Sequence, residues 1–236
     1  MIQGGDWGSM ISRVMAKLYP EHTKAIHLNF IPVTPPYPWK NPILFLQSLL
    51  TTPFSPKDKA YLATTTNYLT RGNAYMRQQE ASPQTLGYAL HDSPVGLAAW
   101  IYEKLHAWTD DYPWTDDEIL TWVSIYQFST AGPAASVRIY HEASRKPGPG
   151  DVSLTEILGA RAPVSVRFAV VHFSRELIKM PWSWCRSIGS VVREREYEKG
   201  GHFAAWEVPE LLAYDVKGFL GKQGEAYGVV NGKDGY

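Results

Sequence analysis

Apolar and polar positions alternate in character along the chain, and the first change comes early. Met1-Ile2-Gln3 is a short extended start. From Trp7 to Leu18, Met10, Ile11, Val14, Met15 and Leu18 recur at spacings of three and four. That period predicts an amphipathic helix with these five residues on its buried stripe. Pro20 ends it, and Ala25 to Val33 (AIHLNFIPV) is an apolar run of strand length, closed by Thr34-Pro35-Pro36-Tyr37-Pro38. A helix between two strands of this kind makes one right-handed β-α-β unit.

Between about residues 35 and 155 the strand-like runs largely disappear. Three helix starts of one type take their place: Ser55-Pro56, Ser82-Pro83 and Ser93-Pro94, each with a Ser N-cap and Pro at the first helical position. Thr115-Asp116-Asp117-Glu118 reads as a capping box, with Trp114 placed to staple onto Ile119. Five or six helices are expected here, and Lys146-Pro147-Gly148-Pro149-Gly150 reads as the linker that ends them.

Strand pattern then resumes. Val164 to His172 (VSVRFAVVH) predicts a strand, Trp182 to Cys185 a short helix, Ser190 to Tyr197 (SVVREREY) an exposed or edge strand, and Glu207 to Leu220 a helix. The segment from Gly221 to Tyr236 is Gly-rich and polar and is expected to be mobile. The division is therefore residues 1–34 and 156–220 for an α/β core, 35–155 for a helical insertion and 221–236 for a flexible tail. Such an insertion covers the carboxyl edge of the sheet, where α/β proteins bind ligands.

Composition narrows the function classes. The 236 residues suffice for one domain with a real core, or for a core plus an insertion. Lys+Arg and Asp+Glu balance at 23 each, so no basic surplus points to nucleic acid. No apolar run approaches the length of a membrane span. The single cysteine, Cys185, excludes an internal disulfide framework and fits a reducing compartment. With no signal peptide before the Gly-rich start, a cytoplasmic location is expected.

Candidate chemistry begins at Gln3-Gly4-Gly5-Asp6-Trp7-Gly8-Ser9. This is the layout of a nucleophile elbow, with Asp6 in the nucleophile slot and Gly4 and Gly8 two residues to either side. Small residues fit a turn where the chain passes close to itself. The first helical N–H groups, including that of Trp7, would face charge developing beside Asp6. A carboxylate nucleophile forms an ester with an electrophilic alkyl carbon, and water must then cleave that ester. The competing reading is an Asp that merely caps a helix.

Cleavage needs a base held by a carboxylate. His202, in Lys199-Gly200-Gly201-His202-Phe203, follows the last strand and precedes the last helix, which places it at the same sheet edge as the elbow. Glu176, in His172-Phe173-Ser174-Arg175-Glu176-Leu177, follows the preceding strand and is the candidate orienting acid; a surface carboxylate paired with Arg175 is the alternative. His22, His91, His106 and His141 fall in loops or on helix faces and read as solvated. His27 and His172 fall in or at the end of strands and read as core or supporting groups. No metal spacing such as His-Glu-x-x-His occurs, and no metal or organic cofactor is expected.

Taken together, GGDWGS at the start, AIHLN at 25–29, HFSREL at 172–177 and GGHFAAWE at 200–207 resemble the microsomal-type epoxide hydrolases and their soluble fungal relatives. The resemblance runs from residue 1 to about 220. It implies an α/β fold, the C-terminal half of an α/β-hydrolase with about four parallel strands and a large helical lid. It also implies that Asp6 is the nucleophile, Glu176 the relay acid and His202 the base. Two lid tyrosines, Tyr75 (GNAY) and Tyr140 (RIYHE), would grip the epoxide oxygen. The implied partners are an apolar epoxide and water, with no nucleic acid; a homodimer is compatible with the reading.

The sequence also departs from the family. A His-Gly-x-Pro loop, one N–H of which completes the family's oxyanion hole, does not occur in this chain. The family's eight-stranded sheet implies that its first four strands are not represented, so an N-terminally truncated member with an unpaired strand edge is expected. Two competing readings follow. A haloalkane dehalogenase shares the Asp-Trp-Gly turn but would need a halide cradle in place of two phenols. A non-catalytic remnant fits the unrepresented half-sheet.

Overall fold

A computed structural model of the chain describes residues 1–145, 148 and 153–232. In chain order the elements are β1 (Ile2–Gly4), α1 (Asp6–Leu18), β2 (Ala25–Leu28), α2 (Pro42–Thr51), α3 (Pro56–Asn67), a π-helical turn at Tyr68–Gly72, α4 (Ala74–Ala81), α5 (Pro83–Asp92) and α6 (Pro94–Ala107). They continue with α7 (Asp116–Phe128), α8 (Arg138–Ser144), α9 (Leu154–Leu158), β3 (Arg167–His172), α10 (Trp182–Cys185), a 3₁₀ turn at Arg186–Ile188, β4 (Ser190–Glu196), α11 (Ala204–Glu207) and α12 (Pro209–Leu220). Among the described residues, the strands form one sheet in the order β1-β2-β3-β4, with every pairing parallel. No described helix is long and apolar enough to cross a membrane.

The chain divides into two compact units, one of Met1–Thr66 with Thr155–Tyr236 and the other of Asn67–Leu154. The second unit begins well after residue 35, because α2 and α3 belong with the sheet. Trp184 Nε1 donates to Ser48 Oγ at 2.6 Å, and Thr65 Oγ1 donates to the Lys179 carbonyl at 2.8 Å. The expected linker lies mostly outside the described residues, at Lys146, Pro147, Pro149 and Gly150.

In the sheet unit, β2 is buried at every position and β3 at all but its first. Parallel strands covered on both faces read as continuous apolar runs rather than as alternation, which is why both were legible. β4 is partly exposed along its length and is the edge strand its charged pattern predicts. Helix α12 lays Phe219 against Ala25 and Ala169, and Leu212 against Val171 and Phe173. Asp215 is the polar member of that buried face: it accepts from Arg193 Nε at 2.8 Å and lies 3.1 Å from His27 Nε2. His27 is thus a core histidine of β2 paired with a carboxylate of α12.

Two expectations are corrected here. The predicted stripe of α1 is not its buried face: Ile11, Met15 and Leu18 are exposed, whereas Ser9, Met10, Ser12, Arg13 and Ala16 are buried. The polar members of that face find partners locally. Ser9 Oγ donates to the Asp6 carbonyl, Ser12 Oγ to the Gly8 carbonyl, and the Arg13 guanidinium to the carbonyls of Pro32 and Leu158. The other correction concerns the tail. Ala226 donates its N–H to the Phe219 carbonyl at 3.0 Å and is buried beside Phe219, with Val229 packed against the same cluster. Residues 233–236 of the tail lie outside the described residues.

The helical unit has its own core, in which Leu90, Leu97, Val123 and Val137 are buried. The capping box at Thr115 forms in both directions, and Ser93 Oγ accepts from the Gly96 N–H at 3.0 Å. Ser82 precedes α5 without a side-chain cap hydrogen bond.

Candidate active site

Because all four strands run parallel, their carboxyl ends share one edge, and the loops leaving β1, β3 and β4 carry Asp6, Glu176 and His202. Each loop is shaped by a local constraint.

At the first, the chain turns from β1 into α1 through Gly5 and Asp6. Asp6 has φ +43°, a left-handed conformation that non-glycine residues avoid and that costs about 1–3 kcal/mol. The crossing of strand and helix is tight. A Cβ on Gly4 would lie 2.6 Å from the Gly8 carbonyl oxygen, and one on Gly5 would lie 2.8 Å from Asn29 Oδ1. A Cβ on Gly8 would meet nothing within 4 Å, so the close approach needs glycine at 4 and 5 and only the backbone of 8. Asn29, just past β2, is fixed by a hydrogen bond from Gln3 Nε2 at 2.8 Å and so braces the turn.

The other two loops are zipped together. Arg175 N–H donates to the Gly200 carbonyl at 3.0 Å within a parallel bridge between Arg175 and Gly201. Gly200 takes φ +93°, and a Cβ there would fall 2.7 Å from Val208 and 2.9 Å from Phe173, so both conformation and space require glycine. Gly201 N–H is held by Glu207 Oε1 at 3.0 Å. The zipper brings His202 Nδ1 within 2.7 Å of Glu176 Oε1, which also accepts the Leu177 N–H at 2.7 Å. Glu176 is fully buried, and Phe30 meets the His202 ring edge-on at 5.5 Å. The reading of Glu176 as a surface carboxylate paired with Arg175 does not describe this buried group.

The electrostatics couple all three. Burial pushes the Asp6 carboxyl above the ordinary carboxylate range; His202 and the Trp7 N–H pull it back down without cancelling the rise. Burial alone would depress His202, but Glu176, through its charge and its hydrogen bond, and then Asp6 and Glu207, outweigh it and raise the imidazole. A carboxylate only accepts, so Nδ1 carries the proton and the other ring nitrogen, Nε2, is the basic one. The arrangement can attack with a carboxylate and deprotonate a water.

The remaining histidines stand apart from this chemistry. His172 is fully buried, donates Nε2–H to the Met180 carbonyl at 3.0 Å and stacks on Trp182 with ring centroids 4.2 Å apart. Burial depresses it to about 4, so it is neutral. His141 bonds the Glu80 carbonyl through Nδ1 at 2.7 Å, tying α8 to α4, and is not the solvated group its position suggests.

In the helical unit, Tyr75 on α4 and Tyr140 on α8 meet edge to face at 5.7 Å. Tyr75 Oη lies 2.8 Å from Tyr68 Oη, so a third phenol joins the pair. Burial first, then Tyr140 and Tyr68, pushes the Tyr75 phenol upward. Tyr68 sits on the π-helical turn, a feature frequent at functional sites. The sequence reading missed it, because the non-helical Asn73 separates the turn of Tyr68 from α4 and no regular spacing links the two tyrosines. Asn29 and Phe30 were likewise missed, although Asn29 closes the AIHLN motif.

No family model matches the chain. Relatives do. A protein of Stigmatella aurantiaca (strain DW4/3-1), provisionally named an epoxide hydrolase, is 36% identical over 221 residues, covering 91% of this chain and 45% of its own length. Epoxide hydrolase 1 of Sus scrofa is 35% identical over 240 residues, covering 93% of this chain and 50% of its own. The crystal structure of juvenile hormone epoxide hydrolase from the silkworm Bombyx mori superposes with a TM-score of 0.74 at 30% identity, over 91% of this chain and 52% of that one. The chain belongs to the epoxide hydrolase family. Its fold is that of the α/β-hydrolase epoxide hydrolases, and it spans about half the length of the relatives it matches. Within an epoxide hydrolase, a strained Asp turn and a buried Glu–His pair on one sheet edge have a ready chemical interpretation.

Proposed function

We propose that this chain carries the hydrolytic machinery of an epoxide hydrolase, converting an apolar epoxide to a vicinal diol through an ester on Asp6. The observation that carries the reading is the 2.7 Å hydrogen bond from His202 Nδ1 to a buried Glu176, in the same charge cluster as Asp6. A carboxylate oxygen of Asp6 attacks one ring carbon, the C–O bond breaks, and its electron pair stays on the epoxide oxygen. Tyr75 and Tyr140 stabilise that alkoxide by hydrogen bonding and supply its proton. His202 then removes a proton from water through Nε2 while Glu176 supports the resulting imidazolium. The water oxygen attacks the Asp6 ester carbonyl, and the C–O bond to the diol breaks as the His202 imidazolium gives its proton to the leaving oxygen. The second water proton passes from the regenerated Asp6 carboxyl to the phenolate, so that carboxylate, imidazole and phenols all return to their starting states. The Trp7 N–H, already directed at the Asp6 carboxyl, stabilises the tetrahedral oxyanion.

The family relationship favours this over the dehalogenase reading, since the relatives are named for epoxides. Isotope labelling tests the ester route. In one turnover in H₂¹⁸O, water oxygen should enter the Asp6 carboxylate and the diol should carry none. Label in the first-turnover diol would mean direct attack of water on the epoxide and would remove Asp6 as nucleophile.

A further inference from the structure

The group on the face of Tyr75 is a cation. Lys104, on α6, places Nζ 4.9 Å from the centroid of the Tyr75 ring, 5.1 Å from that of Trp100 and 5.8 Å from that of Trp108. A surface lysine normally extends its ammonium into water. Here the side chain is only 13% exposed, although its carboxylate partner Glu103, 2.5 Å away, is 65% exposed. The ammonium is drawn into an aromatic box while its counterion stays in solvent. Cations are attracted to ring faces by the aromatic quadrupole, and more strongly as water is removed.

We propose that Lys104 is a positioning residue for Tyr75, holding its ring against Tyr140 and making its phenol the stronger proton donor to a developing alkoxide. The inference rests on the epoxide-opening reading for its substrate, but its physical content stands on the helical unit alone. The Tyr75 ring is packed by Lys104, by Trp108 at a centroid distance of 5.1 Å and by the edge-on Tyr140 at 5.7 Å. Around the Tyr75 hydroxyl, burial first and then Tyr140 and Tyr68 hold the phenol above its ordinary range. A positive charge on the ring face acts in the opposite sense, since negative charge on the phenol is attracted to it. Among the charged groups at this locus are Lys104 and its partner Glu103, whose carboxylate, 2.5 Å away, offsets part of the ammonium's field. Trp100 lies one helical turn before Lys104 on α6, and Trp108, the C-cap residue just past the helix, donates its N–H to the Lys104 carbonyl, so the box is built at the end of the helix.

The test uses the full chain. A fluorinated tyrosine, whose phenol titrates in an accessible range, is placed at position 75 and followed by ¹⁹F NMR against pH. Lys104→Met, which keeps the stem and removes the charge, should raise its pKa by about one unit, and Lys104→Arg should restore it. With an epoxide substrate and natural Tyr75, Lys104→Met should slow ester formation up to about tenfold while leaving ester hydrolysis within about twofold. An unmoved ¹⁹F titration, or equal slowing of both steps in Lys104→Met and Lys104→Arg, would reduce Lys104 to a packing residue and overturn the proposal. If the wild-type chain opens no epoxide, the ¹⁹F titration alone decides, and the failure belongs to the epoxide reading.

Discussion

His202 Nδ1 lies 2.7 Å from Glu176 Oε1, and neither side chain is more than 6% exposed. The bond is the product of two loops zipped by the Arg175–Gly201 bridge, and it sets both the tautomer and the basicity of the imidazole.

Glu176→Gln removes the largest influence that raises His202. The base acts unprotonated, so hydrolysis of the Asp6 ester falls as pH drops through the raised pKa of His202, above its ordinary 6.5. In the Gln variant this limb should move to lower pH and the plateau should drop about 10²–10⁴-fold. Stopped-flow measurement of ester decay against pH separates the two effects. A limb that stays in place would disconnect Glu176 from the imidazole.

The elbow glycines should respond unequally. Gly4→Ala forces a Cβ to 2.6 Å from the backbone of Gly8 and should prevent the native turn, seen as loss of soluble, cooperatively unfolding protein. Gly8→Ala meets open space within α1 and should stabilise by about 0.5–1 kcal/mol. Thermal unfolding of the two variants side by side is the check, and equal damage would argue against the observed strand–helix crossing.

Tyr140→Phe should slow ester formation much more than ester hydrolysis, because a phenol assists only while the ring oxygen gains charge. Tyr68→Phe removes the 2.8 Å partner of Tyr75 and should give a smaller effect on the same step, about two- to tenfold. Single-turnover kinetics that showed both variants slowing hydrolysis instead would contradict the role given to the phenols.

His172 makes a prediction about stability alone. Its folded pKa of about 4 lies below the unfolded 6.5. Between these values the unfolded chain binds the extra proton, so stability is full above pH 6.5 and is lost as pH falls toward 4, by about 3 kcal/mol. His172→Phe should flatten that part of the denaturation profile while costing about 1 kcal/mol at pH 7 for the lost bond to Met180. Parallel profiles would mean that His172 is not buried neutral.

Much of this was legible because the sequence signals were backbone signals. β2 and β3 announced themselves as apolar runs, the Ser-Pro and Thr-x-x-Glu starts marked helices, and the Gly-rich stretches at residues 4–8 and 200–201 marked the two tight turns that hold Asp6 and His202. What stayed hidden depended on which neighbour a side chain meets. Periodicity gave α1 an apolar face, but the sheet took the face with Ser9, Ser12 and Arg13, whose hydrogen bonds are satisfied by nearby carbonyls. Composition could not single out two tyrosines among fourteen, and only the family resemblance proposed Tyr75 and Tyr140. Tyr68 and Lys104 needed the packed rings to be seen together.

The most direct measurement arrests the reaction on Asp6. His202→Gln keeps a side chain of similar length but cannot deprotonate water, so incubation with an epoxide should leave the ester intact. Mass spectrometry of the digested protein should find the full mass of the epoxide added to the peptide that holds Asp6. An unmodified Asp6 peptide, or an adduct on any other residue, would contradict the nucleophile on which the account rests.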